Sequence, residues 1–510
     1  MPTLTRSVSA TSSATAADDE PAARRRAFIH EFAERAAFLS LLVAVIWAPW
    51  PLGSNRPWAL AILGAVVWFG VIAALMSHLW PPRSDVPFDR SAASAARAKK
   101  ASHTGRGFLW ALPLAALAGF ALLLVAQTMP SPLGQFELAS IDPFQTRRYL
   151  FATLTYAGAW LLVLMTVNSS ERAATVLGAV AAAGVLQATA AVMLYSSGGS
   201  YQLWFADFDQ GGRAMGTFVN PDHLAGFMEL SLAAGLGWLI AQLGEGRSVK
   251  QSGWRHNLVS VLAFVMSPKM LLRLLLILPV MALVMTHSRM GNGAFFLALL
   301  LIGVLVAVRS QKLRRPALWL VASMAVVDVF IIGQWVGVDR VMERIKDTAA
   351  VSKQAPAPFG TAQIGPPREQ SLAERLDVPL LSLKLVAQRP WFGHGGGTYV
   401  TALPPLKRED LVEHWDHAHN DYVQVASDTG LVGLLLWLTA GVASAWRALQ
   451  LVRDQQAPVN RGLGVAALMA CACMGLHSMV DFNLHIPANA LTFTVLLAAV
   501  WALPRTSRRA

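Results

Sequence analysis

The segment HWDHAHNDYVQVASDTG (414–430) carries His414, His417 and His419 within six residues and runs straight into the apolar stretch LVGLLLWLTAGVASAW. Nine residues separate His419-Asn420 from Gly430-Leu431-Val432-Gly433. An imidazole titrates near neutral pH, so one at the mouth of an apolar helix is suited to proton transfer. Asn420 and Asp416 are alternative orienting partners for His419. Two arginines, Arg213 in GGRAMGTFVNPDHLAGF and Arg289 in MTHSRMGNGAF, carry the planar fork suited to phosphate. The plainer alternative for each is contact with lipid headgroups or a helix end. Asp481, Asn483 and His485 fall within five residues of DFNLHIPANA. An Asp/Asn turn with helix capping explains them, with Pro487 opening the next helix. His485 is a further candidate for the site.

A metal centre is not expected. The i,i+2 spacing of His417 and His419 suits a strand, not one face of a helix. No nearby cysteine or closely spaced carboxylate completes a ligand set. No cofactor motif is present either. Cys471 and Cys473 lie inside an apolar stretch, where packing accounts for them.

The elements that must position these residues are membrane helices. Of 510 residues, 55% are hydrophobic and 14% charged, with mean hydropathy +0.46, which excludes an ordinary soluble domain. Apolar stretches of spanning length predict an all-α polytopic protein with about twelve spans. They lie at 36–52, 58–79, 108–129, 149–167, 174–195, 223–243, 271–287, 293–308, 317–337, 430–449, 462–480 and 487–503. Pro268 and Pro279 disturb the seventh, and 257–266 reads as a re-entrant or interfacial piece. Strand-like alternation is lacking, which argues against an outer-membrane barrel.

Lys and Arg in short loops set the orientation. They gather before the first span (Arg24, Arg25, Arg26, Arg35) and in 80–107, 244–270 and 309–315. They recur at Arg447, Arg453 and Arg461, and at Arg505, Arg508 and Arg509. With twelve spans all these sites share one side, which is then cytoplasmic, with both termini. The net charge of +12 is therefore mainly a topology signal. Basic residues scattered over separate loops do not build a nucleic-acid face. The run ARRRAF is an inside-positive flank and not a twin-arginine signal, because many spans follow it.

The chain divides into a disordered cytoplasmic tail (1–35), spans one to nine (36–337), a long periplasmic loop or lid (338–429), spans ten to twelve (430–503) and a short cytoplasmic tail (504–510). A loop of about ninety residues exceeds an ordinary connection. Within it, Leu372, Leu376, Leu380, Leu383 and Val386 predict an amphipathic helix over 370–389, kinked or divided at Pro379. RPWFGHGGGTYV (389–400) is a glycine-rich turn. Residues 351–367 are rich in Pro, Ala and Gly and read as mobile.

His419-Asn420, nine residues, Gly430, two residues, Gly433 resembles the signature of the O-antigen ligase and polymerase superfamily. Arg389, Pro390, Gly393 and Gly395 resemble its P-x-x-G-x-G turn. THSRMG resembles its Ser-Arg-Gly segment, with Met290 inserted between Arg289 and Gly291. Arg213, Gly216, Asn220 and Pro221 match an Arg…Gly-Thr-Phe-x-Asn-Pro segment, and DFNLHIPANA is similar to a tail of polymerase-like members. The likeness covers roughly residues 140–503.

The resemblance implies a metal-independent glycosyltransferase of the bacterial inner membrane. Its donor would be a glycan on undecaprenyl diphosphate, met at the periplasmic face. His419 takes the place of the catalytic base, and Arg213 and Arg289 that of the diphosphate ligands. The chemistry is consistent: a base removes the acceptor proton, and fixed cations stabilise the leaving diphosphate. Direct displacement predicts inversion. Arg375, Arg389 and the Gly393–Gly397 turn would shape the lid or donor pocket. A ligase would pass the glycan to lipid A core, a polymerase to another lipid-linked glycan. The ligase signature favours the first and the DFNLHIPANA tail the second. A secondary transporter, the reading from another class, calls for midspan charges and repeated halves. Midspan charges are few, Asp328 the clearest with Arg273 near a span end, and the halves do not repeat.

Overall fold

The computed structural model describes residues 11–81, 111–130, 138–197, 202–203, 206–207, 212–242, 268–309, 372–406, 415–453 and 457–503, with isolated positions 314, 318 and 322. The expected ninth span at 317–337, with Asp328, lies outside the described residues apart from 318 and 322. So do the interfacial piece at 257–266 and the segments 351–367 and 407–414.

The described chain is a polytopic helical bundle. Its first helices are α1 (Thr11–Trp47), α2 (Pro57–Leu79), α3 (Leu112–Gln127), α4 (Pro143–Thr166), α5 (Ser170–Ser196) and α6 (Pro221–Gln242). Then come α7 (Pro268–Leu275), α8 (Ile277–Met285), α9 (Arg289–Arg309), α10 (Leu372–Gln388) and α11 (Tyr399–Ala402). The last three are α12 (Asp421–Val452), α13 (Pro458–His477) and α14 (Pro487–Ala502). Of the described helices, α2, α4, α5, α6, α9, α12 and α13 are long and apolar enough to cross a membrane. α3 and α14 are shorter apolar helices, as is the stretch Met270–Met285. A two-residue antiparallel ladder pairs Gln202 with Asp207 and Leu203 with Ala206.

Local sequence explains the helix starts. Pro57, Pro143, Pro221, Pro458 and Pro487 are each the first residue of a helix, where a missing N–H costs nothing. Asp142 caps α4 by accepting from the N–H groups of Phe144 and Gln145 at 3.1 and 3.2 Å. The expected seventh span is split at Leu276. Pro279 has no N–H to give the Leu275 carbonyl, and the break falls there.

Three expectations need correction. The tail taken as disordered is helical from Thr11 onward. Its alanines are strong helix formers, and the helix continues without interruption into the apolar stretch. In the long loop, α10 runs through Pro379 as one helix. It also buries a different face from the one expected: Val378, Leu381 and Leu385 are buried against Tyr399, Leu403 and Trp415, whereas Leu380 and Leu383 are exposed. Leucines line both sides of this helix, so spacing did not decide which side packs. Finally, the polar residues 421–429, expected in the loop, are the first turns of α12.

α6 is the central helix. From Asp222 to Gly237 every residue is buried. It lies against α5, α8, α13 and α14. Its crossing with α13 is close because both helices present glycine. A Cβ on Gly237 would lie 2.5 Å from the Gly462 carbonyl oxygen, and one on Gly462 2.4 Å from that of Gly237. Such all-round burial is the mark of a core helix, and it places Asp222, His223 and Glu229 in the interior.

Candidate functional site

Four polar residues converge: Glu229 of α6, His477 at the C-terminal end of α13, Asp481 in the turn after it and His419 before α12. His419 sits immediately before the cap of α12 with φ +48°, a left-handed conformation rare for a non-glycine residue. Asn420 is that cap. Its side-chain oxygen accepts from the Val423 N–H at 3.0 Å, and its amide donates to the Met479 carbonyl at 2.8 Å. The second bond ties α12 to the turn after α13. The Asp421 N–H reaches the Ser478 carbonyl of the same turn at 3.0 Å.

Asp481 lies across from His419. Its Oδ1 is 3.6 Å from His419 Nδ1, an ion-pair separation just beyond hydrogen-bond distance. Its Oδ2 is 3.9 Å from His477 Nε2, and His477 Nδ1 is 2.9 Å from Glu229 Oε1. Glu229, His477, Asp481 and His419 thus form a sequence of alternating acid and imidazole from the middle of α6 to the mouth of α12. Burial alone would raise the Asp481 carboxyl. The His419 side chain beside it and the charges of His223, His477 and His419 outweigh burial and hold it below the ordinary carboxylate range.

Aromatic rings frame the histidines. Phe482 meets His419 edge-on at 5.0 Å and His223 at 4.7 Å, and its ring stacks on His417 at 3.9 Å. Trp415 meets His419 edge-on at 5.3 Å. His417 hydrogen-bonds Gln424, and burial pushes its imidazole well below the ordinary value, reinforced by His485.

The glycine-rich turn explains the rest of the motif. Gly430 interrupts α12 at φ +68°, ψ −176°. Into this break docks the turn after α10: the N–H groups of Leu431 and Val432 donate to the Pro390 and Trp391 carbonyls at 2.8 and 3.2 Å. A Cβ on Gly430 would lie 2.1 Å from the Trp391 carbonyl oxygen. Gly393 and Gly395 have φ +69° and +122°, and a Cβ on either would strike Asp428 backbone or Ser140. Gln127 holds the same turn, donating to Phe392 and accepting from Gly396. These glycines fit backbone to backbone. Nothing places Gly393 or Gly395 against His419.

Arg213 and Arg289 share one region. Arg213 Nη2 is 2.9 Å from Asp222 Oδ1 and its Nε donates to the Thr286 carbonyl at 2.8 Å. It therefore ties the start of α6 to the turn before α9. Arg289 is the first residue of α9 and is exposed. The Arg213 segment reaches the histidines through Asp222, His223 and Phe482.

Other expected residues lie elsewhere. Arg389 donates to the Ala139 carbonyl at 3.0 Å and anchors the glycine turn. Arg375 belongs to α10, but its side chain lies outside the described residues. Asp416 lines a cavity with His417 and His485. His485 pairs with Asp421, Nδ1 to Oδ1 2.6 Å. Burial opposes its protonation, but the Asp421 hydrogen bond and charge raise its pKa above the ordinary value. No group of three or more His, Cys, Asp or Glu side chains among the described residues could hold a metal ion.

Sequence reasoning passed over Glu229, which is buried in α6 with His477 as its partner. Its one visible signal was an acidic residue in a span. Arg56 and Arg148 were missed as well. Arg56 stands just before α2 and Arg148 in the second turn of α4, and both line a cavity with His417 and His485.

Residues 274–438 match a family model described as O-antigen ligase. The match includes Arg289, His419, Gly430 and Gly433; Arg213 and Asp481 fall outside it. No curated protein matched the chain.

Proposed function

We propose, from the match of residues 274–438 to the O-antigen ligase family model, that the chain moves a glycan from undecaprenyl diphosphate to an acceptor hydroxyl. His419 Nδ1 faces Asp481, which leaves Nε2 for the acceptor. As the acceptor oxygen bonds to the anomeric carbon, its proton passes to Nε2 and the bond from that carbon to the diphosphate oxygen breaks. The sugar inverts. Arg289, with Arg213 behind it, stabilises the charge that gathers on the leaving diphosphate. Asp481 keeps the imidazole in the tautomer with its lone pair outward and stabilises the imidazolium that forms.

The observation that carries this reading is the pairing of His419 with Asp481 at the mouth of α12, next to the Arg213 segment. A twelve-span reading with the basic loops inside would have this end of the bundle face the periplasm and both termini the cytoplasm. Ligase signature residues favour lipid A core as acceptor. The segment 481–490, which supplies Asp481 and His485, resembles the tail of polymerase-like members, so transfer to a second lipid-linked glycan is the alternative. The chain reconstituted with undecaprenyl-diphosphate-linked glycan and lipid A core tests both. Labelled core means ligase, and a ladder on undecaprenyl diphosphate means polymerase. No transfer to either, from protein that is folded, overturns the proposal.

A further inference from the structure

Glu229 is eight residues into α6 from Pro221, about 12 Å along the helix at 1.5 Å per residue. A carboxyl at that depth in a spanning helix is costly, and an uncharged pair would serve for an interhelical tie. Gly226 and Glu229 lie one turn apart on the same face of α6. Gly226 lets the turn after α13 come close: a Cβ there would lie 2.2 Å from Asn483 Oδ1. Glu229, one turn deeper, meets His477 of α13, Oε1 to Nδ1 2.9 Å, with side chains 0% and 1% exposed.

His477 faces a carboxylate on each side, since its Nε2 is 3.9 Å from Asp481 Oδ2. A neutral imidazole has one N–H and one lone pair, so it would turn that lone pair on one of the two carboxylates. Only the imidazolium presents an N–H to both. Glu229 anchors the ring by its hydrogen bond. The Nε2 separation is too long for a hydrogen bond, so His477 acts on Asp481 through its charge. The Asp481 carboxylate is held in one orientation. Oδ2, on the His477 side, accepts from Asn483 Nδ2 at 3.3 Å, and Oδ1 accepts from the Phe482 N–H at 2.9 Å while facing His419. Asn483 is fixed in turn by Asn489 Nδ2 at 2.9 Å, which also donates to the His223 carbonyl. The other titratable or charged groups around this row are Asp222 and His223 at the start of α6, Arg213 on Asp222, and Cys473 of α13. The Asp421–His485 pair lies beyond Ser478.

We infer that Glu229 and His477 are positioning residues for His419. As a buried carboxylate–imidazolium pair they keep Asp481 ionised with Oδ1 toward His419, and so set the pH at which His419 is free to take a proton. The pair passes no proton on. Only the identity of that proton, as the acceptor's, rests on the proposed function.

Diethyl pyrocarbonate, which reacts with neutral imidazole, reads the protonation of His419 without a transfer assay. The His419 side chain is 14% exposed and that of His477 1%, and tandem mass spectrometry separates His419 from His414 and His417. Parent and variants are compared as full chains in detergent. Glu229→Gln keeps the shape and removes the anion. His477, buried without it, should shed its proton, and Asp481, without that cation, should hold the His419 proton more tightly. The pH midpoint for modification of His419 should therefore rise by about half a unit or more. Glu229→Gln/His477→Gln removes both charges and should raise it too. It leaves no lone buried charge at these two positions, so it keeps the test open if the single variant fails to fold. In proteoliposomes Glu229→Gln should lower kcat about 10-fold with KM little changed. A midpoint unmoved or lowered in Glu229→Gln would overturn the role of Glu229, and in the double variant that of the pair, leaving only a tie between α6 and α13. A raised midpoint in a folded chain that transfers no glycan would keep the pair and sink the proposed function instead.

Discussion

His419 and Asp481, 62 residues apart in sequence, face each other at 3.6 Å across two connections, one entering α12 and the other leaving α13. Neither is positioned by a helix of its own. His419 is held by a left-handed backbone and the Asn420 cap. Asp481 is held by its own bonds to the Phe482 N–H at 2.9 Å and to Asn483 at 3.3 Å. A base aligned in this way should lose its function in two steps. His419→Ala should lower transfer by about 10²–10⁴, the usual contribution of a general base. Asp481→Asn should lower kcat by about 10- to 100-fold with KM little changed, since the imidazole remains but its tautomer is no longer enforced. Steady-state kinetics in proteoliposomes separates the two, and near-normal rates with His419→Ala would remove it as base.

The two carboxylate–imidazole pairs set the pH range of stability in opposite directions. Asp481 is held below its ordinary range, so its contribution is complete above the unfolded carboxylate value and fades as pH falls through the depressed value. His485 is raised, so its contribution is complete below the unfolded imidazole value and fades as pH rises through the elevated one. Asp421 and Asp428 raise it against burial, and His417 and Tyr149 lie beside it. Melting temperature measured against pH should therefore fall at both ends. In His485→Asn the alkaline fall should shrink while the acid fall stays. A variant whose alkaline limb matches the parent would sever that limb from His485.

Gly430→Ala should fail for a backbone reason. Its φ of +68° with ψ −176° is a conformation only glycine adopts readily, and the added Cβ would meet Trp391 and Phe392 backbone atoms within 2.4 Å. Since backbone yields less than a side chain end, the cost should exceed about 2 kcal/mol. The expected result is poor yield or a melting temperature several degrees lower. Gly441→Ala, with nothing within 4 Å of its Cβ, should behave as the parent.

What was legible in the sequence follows from what is periodic or locally encoded. α2 was expected at 58–79 and observed at Pro57–Leu79, because an apolar run and a proline at its start both lie in the local sequence. α12 was expected from 430 and begins at Asp421, because residues 421–429 are polar and are stabilised by protein contacts to Ser478, Gln127 and Gly397. Asp481 looked like a helix cap, since its partner is distant in sequence and no spacing rule joins the two. Glu229 was overlooked for the same reason, its partner His477 being 248 residues away.

The two arginines should respond differently to lysine. Arg213 uses Nε for the Thr286 carbonyl and Nη2 for Asp222, a two-direction contact that a single ammonium cannot copy. Arg213→Lys should therefore lower the melting temperature together with transfer. Arg289 is exposed at the start of α9, so Arg289→Lys should keep the fold and lose the bidentate fork. Transfer should drop about 10-fold or more. Unimpaired transfer would argue against bidentate phosphate binding by Arg289.

Metal dependence follows from how the charge on the diphosphate is met. A diphosphate leaving group needs cations fixed in place before the bond breaks, and either a divalent ion or guanidinium groups can serve. Here guanidinium groups are present on the side of the bundle that carries His419, while the Nδ1 atoms of His477 and His485 face carboxylates that would compete with a metal for them. Transfer should therefore survive exhaustive dialysis against EDTA, measured with donor and acceptor at saturating concentrations so that weakened binding is not mistaken for lost chemistry. A loss of activity that Mg²⁺ or Mn²⁺ restores would move the diphosphate role from Arg213 and Arg289 to a metal ion.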